Sequence, residues 1–248
     1  APEKIKTAIY DILDKEDPLV VHGYMANAGY EEEREAIAEN LNERFGTNFH
    51  GKNLIMTVGA AGGLNIIFKT ILDPGNEVMV FAPYFGEYKS YAANFDAKIV
   101  EVMPNEADFM PDLADFERKI TKETRAVIIN NPNNPTGVVY SDVTLKEIAR
   151  ILNAKEEEFG TDIYLISDEP YRELVYDGVQ ENFLTKYYKD TLVGYSFSKS
   201  LSLPGERIGY VVVPDEAADS EELIEGITVS NRTLGFVNAP SLIQKAVA

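Results

Sequence analysis

The chain has 248 residues, 45% of them apolar, and no cysteine. That length supports a substantial buried core, and the missing cysteines exclude a disulfide framework. Lys and Arg number 23 against 41 Asp and Glu, a net charge of −18, which argues against binding nucleic acid or an anionic membrane. No apolar run approaches the ~20 residues of a membrane-spanning helix. The opening Ala1-Pro2-Glu3-Lys4 is not a signal peptide, and a cytoplasmic location is the default expectation.

In chain order, Ile5, Ile9, Ile12 and Leu13 share one helical face and Pro2 suits a first turn, so residues 1–16 predict an amphipathic helix. A loop of small residues carrying Tyr24 follows at 20–29. The acidic start at Glu31 suits the positive end of a helix running to Phe45, and Gly46 is its stop signal. An alternation then begins. Apolar runs at Leu54–Val58, Glu77–Phe81, Lys98–Val102, Arg125–Asn130, Ile163–Ser167, Thr191–Tyr195 and Ile208–Val213 predict strands. Helical patterns at Leu64–Leu72, Asp112–Ile120 and Asp142–Phe159 lie between them, and Asp215–Ala248 is acidic, then helical. Strands that are apolar throughout and alternate with helices predict a three-layer α/β/α fold. Its sheet is seven-stranded, mostly parallel and buried on both faces. No repeat, low-complexity tract or linker interrupts the chain, so a single domain is expected.

In open parallel sheets ligands bind beyond the carboxyl ends of the strands, so the residues just after each strand are the candidates. Gly59-Ala60-Ala61-Gly62-Gly63 is small enough for close backbone approach and opens a helix whose N–H groups can face an anion. It is also what any tight strand-to-helix turn looks like. It is neither a G-x-G-x-x-G fingerprint nor a P-loop. Ala82-Pro83-Tyr84-Phe85-Gly86 puts aromatic rings at a crest, where core packing is the alternative role. Asn131 to Gly137 (NPNNPTG) is a stiff turn able to hold the Asn134 amide in place. Asp168, at the end of an apolar strand, is costly unless paired. Last comes the stretch Ser196 to Gly209 (SFSKSLSLPGERIG). It places Lys199 just past a strand, where partial desolvation makes an amine nucleophilic. Ser196, Ser198 and Arg207 lie near it in sequence and can grip a phosphate. His22 and His50 have no metal-ligand or triad-like neighbours and are expected to be structural or exposed.

The stretch Ser196–Gly209 closely resembles the lysine attachment motif of class I aminotransferases, in the fold-type I family of pyridoxal-phosphate enzymes. The resemblance extends over nearly the whole chain. It implies pyridoxal 5'-phosphate as cofactor, with Lys199 as the amine that attaches its carbonyl and later shuttles a proton. The amides of Ala60 and Ala61 with Ser196, Arg207 and, less directly, Ser198 would hold the phosphate, and Phe85 would stack on the ring. Asn134 and Tyr171 would bond its phenolic oxygen, and Asp168 would pair with its ring nitrogen and keep it protonated. Glu169 and Arg172 are expected to make surface or supporting contacts. Tyr24 matches a tyrosine that reaches the phosphate of the neighbouring subunit in dimeric relatives, so a homodimer with a shared active site is expected.

The resemblance also implies that residues 1–248 are the cofactor-binding large domain, without an N-terminal arm and a C-terminal small domain. The implied activity is transfer of an amino group from an amino acid to a 2-oxo acid, with the Asp168-Glu169-Pro170-Tyr171 phrase favouring the aspartate, alanine and aromatic group. Two rival readings remain. One is a pyridoxal-phosphate β-lyase acting on carbon–sulfur bonds, and the other is a non-catalytic ligand-sensing domain of a regulator. Neither a metal nor a nucleic acid is expected.

Overall fold

The computed structural model describes residues 1–248. Helices α1 (Glu3–Lys15), α2 (Pro18–Val21) and α3 (Glu31–Phe45) precede strand β1 (Leu54–Thr57), which leads into α4 (Gly59–Ile71). Next come β2 (Glu77–Phe81), α5 (Glu87–Ala93), β3 (Lys98–Val102), α6 (Leu113–Lys119), β4 (Thr124–Asn130) and α7 (Asp142–Phe159). The chain continues through β5 (Tyr164–Asp168), β6 (Thr191–Ser196), α8 (Phe197–Ser200), β7 (Gly209–Val212), α9 (Ser220–Thr233) and α10 (Ser241–Val247).

The strands form one seven-stranded sheet in the order β1-β7-β6-β5-β4-β2-β3. β2 pairs in parallel with β3 and β4, and β4 in parallel with β5, whereas β1 and β7 are antiparallel. With helices on both sides, the fold is the expected mostly parallel three-layer arrangement. By their contacts the residues group into two compact units. One comprises residues 1–70, 194–215 and 219–248; the other comprises 71–193 and 216–218.

In the unit of residues 71–193 and 216–218, β2, β4 and β5 are buried along almost their whole length, which their unbroken apolar sequences require. Met79, Phe81, Val127, Ile129 and Leu165 pack with Leu145, Ile148, Ile151 and Leu152 of α7. Each such side chain contributes about 1.5–3 kcal/mol of burial. α7 shows why its ends were legible. The Ser141 hydroxyl accepts from the Thr144 N–H at 3.2 Å, and Gly160 closes the helix at φ 66°. Those are a side-chain N-cap and a left-handed C-cap.

In the other unit, Gly46 ends α3 at φ 63°, as expected. α4 begins at Gly59 rather than at Leu64, because the small residues 59–63 are themselves its first turn. Back in the unit of residues 71–193, Asp112 lies outside α6 and caps it, accepting from the Ala114 and Asp115 N–H groups at 3.0 Å each. Helices α2, α5 and α8 were not expected from the sequence; two of them are only four residues long, too short for apolar periodicity to register. No helix is long and apolar enough to cross a membrane.

Candidate active site

Two groups of the expected residues are assembled, one in each unit. In the unit of residues 71–193 the parallel register of β4 and β5 sets Asn130 directly beside Asp168 at the carboxyl ends of both strands. The Asn130 Nδ2 donates to the Asp168 carbonyl at 2.9 Å, and its Oδ1 accepts from the Asn134 N–H at 2.6 Å. Asn130 thus ties the NPNNPTG turn to the strand end. Asn134 Nδ2 in turn donates to the Tyr171 hydroxyl at 3.3 Å. The two residues expected to share one oxygen acceptor are therefore neighbours.

Asp168 is 5% exposed, and its Oδ2 accepts from the Tyr88 hydroxyl at 2.5 Å. Its Oδ1, also buried, has no hydrogen-bond partner. Burial pushes the carboxyl up to about 6, opposed by the Tyr88 hydrogen bond and reinforced by the nearby Glu169 charge. The same burial, with the Asp168 charge, raises the Tyr88 hydroxyl well above its ordinary value. A buried carboxylate oxygen without a partner is expensive; a protonated ring nitrogen is a group that would satisfy it. Phe85 lies edge-on to Tyr88, with ring centres 5.6 Å apart.

Of the two roles expected for Glu169 and Arg172, the supporting one occurs: they are 1% and 2% exposed and pair with each other, and Glu169 also accepts from the Ser167 hydroxyl at 2.6 Å. The Arg172 guanidinium lies over the Phe183 ring, 5.2 Å from its centre. Their turn is drawn inward because each charge is neutralised locally. Arg172→Met leaves the Glu169 carboxylate buried without its counter-charge and is expected to cost about 3–5 kcal/mol. Adding Glu169→Gln should recover most of that loss, as read by urea unfolding of the single and double variants.

The second group lies in the unit that contains β1, β7 and the end of β6. Gly59 opens α4 at φ 67°, and a Cβ there would sit 3.0 Å from the Arg207 Nη2. Glycine is therefore needed both for the backbone conformation and to admit the guanidinium to the start of α4. Ala60 and Ala61 follow in the first turn, where N–H groups have no intrahelical acceptor. Ser196 is 2% exposed; its Oγ lies 2.7 Å from the Ser198 Oγ and accepts from the Ser198 N–H at 3.1 Å. Arg207 donates to the Pro204 carbonyl at 3.0 Å. A helix N-terminus, small residues, hydroxyls and a guanidinium suit a phosphate.

Lys199 lies on the single turn α8, not on an extended loop. That turn is braced by the Tyr195 hydroxyl, which donates to Ser200 Oγ at 2.7 Å, and by Tyr195 stacking on Tyr210 with ring centres 4.8 Å apart. Lys199 itself is exposed rather than partly buried, so this chain does not supply the desolvation expected for it. Tyr24 is 95% exposed. His22 and His50 are exposed, His50 beside Glu35 at 3.5 Å. Tyr88 and Asn130 are the two residues the sequence reading missed. Asn130 could have been found by examining each strand's last residue as closely as the residues after it.

The model of the family described as aminotransferase class I and II matches residues 1–248. The chain belongs to the class I and II aminotransferases. Family members with the aspartate aminotransferase fold depend on pyridoxal phosphate; within its own unit the orphaned Asp168 oxygen suits a protonated ring nitrogen, and within the other the Gly59–Arg207 cradle suits a phosphate. Among aminotransferases of this family, an aspartate aminotransferase of Pyrococcus horikoshii is 33% identical over 232 residues, 93% of this chain and 57% of that protein. The aspartate/prephenate aminotransferase of Thermus thermophilus is 38% identical, covering 78% of this chain and 49% of the relative. A crystal structure of an amino transferase from Eubacterium rectale aligns with TM-score 0.98 at 48% identity, covering this chain completely and 62% of its own. The chain spans about half the length of the curated relatives it matches.

Proposed function

We propose that residues 1–248 form the cofactor-binding large domain of a pyridoxal-phosphate aminotransferase that moves the amino group of an L-amino acid to a 2-oxo acid. The observation that carries this reading is Asp168, buried and with one carboxylate oxygen held while the other has no partner, in a chain of this family. When bound, the cofactor supplies a carbonyl that takes up the amino group and a protonated ring that spreads the charge left at the substrate α-carbon.

The roles proposed for the residues follow from their chemistry. Lys199 would be the amine that holds the cofactor's carbonyl, and its free form would carry a proton to and from the substrate α-carbon. Asp168 accepts from the ring N–H and holds its proton in place. Asn134 and Tyr171 donate to the phenolic oxygen and favour its ionised form. Phe85 would lie against the ring face, with no N–H of its own to offer. The amides of Ala60 and Ala61, the Ser196 hydroxyl and the Arg207 guanidinium hold the phosphate, with Ser198 orienting Ser196.

The names of the relatives given above support aspartate and prephenate as the substrates to test first. We further propose a cytoplasmic homodimer in which the exposed Tyr24 reaches the neighbouring subunit's phosphate. The test is amino transfer by the full-length protein from aspartate, alanine and tyrosine to 2-oxoglutarate. Product amino acid should appear in step with consumed donor. Keto acid and ammonia without any acceptor would replace this reading with a carbon–sulfur β-lyase, and cofactor binding with no turnover of any donor would leave a ligand sensor.

A further inference from the structure

We propose that Tyr88 is a positioning residue, which fixes the Asp168 carboxylate so that Oδ1 alone faces the cofactor's ring nitrogen and which sets the angle of the Phe85 ring. The proposal deepens the reading above and rests on it. Tyr88 stands in the first turn of α5, is 1% exposed, and reaches across 80 residues of sequence to donate to Asp168 Oδ2 at 2.5 Å. Its own ring cannot swing away. The Tyr84 ring lies parallel to it at 6.3 Å between centres, 7° from coplanar, and Phe85 meets it edge-on at 79°. Tyr84 is itself pinned by donating to Glu101 at 2.6 Å.

A carboxylate with one oxygen bound and one open is a directional acceptor; with both open it can turn, and in a buried setting it also picks up a proton. The titratable groups that bear on Asp168 are Tyr88, Glu169 and Tyr171. Of these, Tyr88 favours the ionised carboxylate by hydrogen bonding, while burial and the Glu169 charge oppose it. Without the Tyr88 hydroxyl, Asp168 is protonated over more of the neutral range. It must then give up that proton before it can accept from a ring N–H.

The experiment compares wild type and Tyr88→Phe in the full-length protein, measuring dissociation constants for pyridoxal phosphate and for its deaza analogue, in which carbon replaces the ring nitrogen. The expected result is a loss of about tenfold for pyridoxal phosphate, the scale of a hydrogen bond to a charged group. The loss should be larger at pH 6 than at pH 8 and below about twofold for the analogue. Borohydride should still fix the cofactor on Lys199 in the variant. Equal losses for both compounds, or no loss for either, overturn the proposal while leaving the cofactor assignment standing. Failure of borohydride to fix pyridoxal phosphate on Lys199 of the wild type removes both. Should Tyr88→Phe not fold, Asp168→Asn is compared with Asp168→Asn/Tyr88→Phe, which holds no buried carboxylate at this position. Indistinguishable cofactor affinities support the proposal, and a further tenfold loss contradicts it.

Discussion

Replacing Lys199 with alanine is expected to lower the rate of amino transfer by about 10⁴-fold or more, the upper range for a single positioned acid–base group, since the same amine is also the one proposed to form the covalent attachment. Lys199 is exposed on the one-turn helix α8, which is braced by Tyr195, Ser200 and Tyr210. The substitution should therefore change stability by no more than about 0.5 kcal/mol. Activity and stability should separate cleanly: steady-state rates collapse while the urea midpoint stays in place. A fall in rate below a hundredfold would mean that another group carries the proton.

Asp168→Asn is expected to act in opposite directions on the two properties. An amide cannot keep the ring nitrogen protonated. Losing a buried opposite charge shifts a pKa by 1–3 units, so the rate should fall by up to about 10³-fold. The apoprotein should meanwhile gain stability at neutral pH. In the folded chain burial raises the Asp168 carboxyl from 3.8 to about 6, so folding favours the protonated form. Its contribution is fully present below pH 3.8 and is lost as pH rises through about 6, at 1.36 kcal/mol per unit. That amounts to about 3 kcal/mol of apoprotein stability lost in all, most of it between pH 4 and 7, and Asp168→Asn should remove this part of the pH dependence. Urea unfolding of apoprotein and variant from pH 4 to 8 reads it directly. A wild-type profile no steeper than that of the variant would show that Asp168 is not held as described.

The sequence disclosed elements whose local signals agree with their tertiary setting. The bounds of α3 and α7 match because acidic first turns, the Ser141 cap and the glycines at 46 and 160 act within a few residues of the helix ends. Strands β2 and β3 match because their apolar runs coincide with the residues that pair. The candidate site was legible where chemistry concentrates at the carboxyl end of a strand, as with Asp168 and Ser196 to Arg207. It was not legible where the partner is distant in sequence. Tyr88 reads as one more aromatic in a short helix until the fold brings Asp168 to its hydroxyl. For Glu169 and Arg172 the sequence leaves surface and supporting contacts both open, because composition carries no sign that a turn folds inward around its own neutralised ions. Lys199 reads as desolvated from its neighbours, yet it is exposed in this chain.

The central claim is that the Lys199 amine forms the covalent link to the cofactor. The measurement that tests it most directly is borohydride reduction of the full-length protein with pyridoxal phosphate, followed by digestion and mass mapping of the modified peptide. The account predicts a single cofactor-labelled lysine, at 199, and no reducible absorbance band from Lys199→Ala. A label fixed on another residue, or a band that persists in Lys199→Ala, would contradict it.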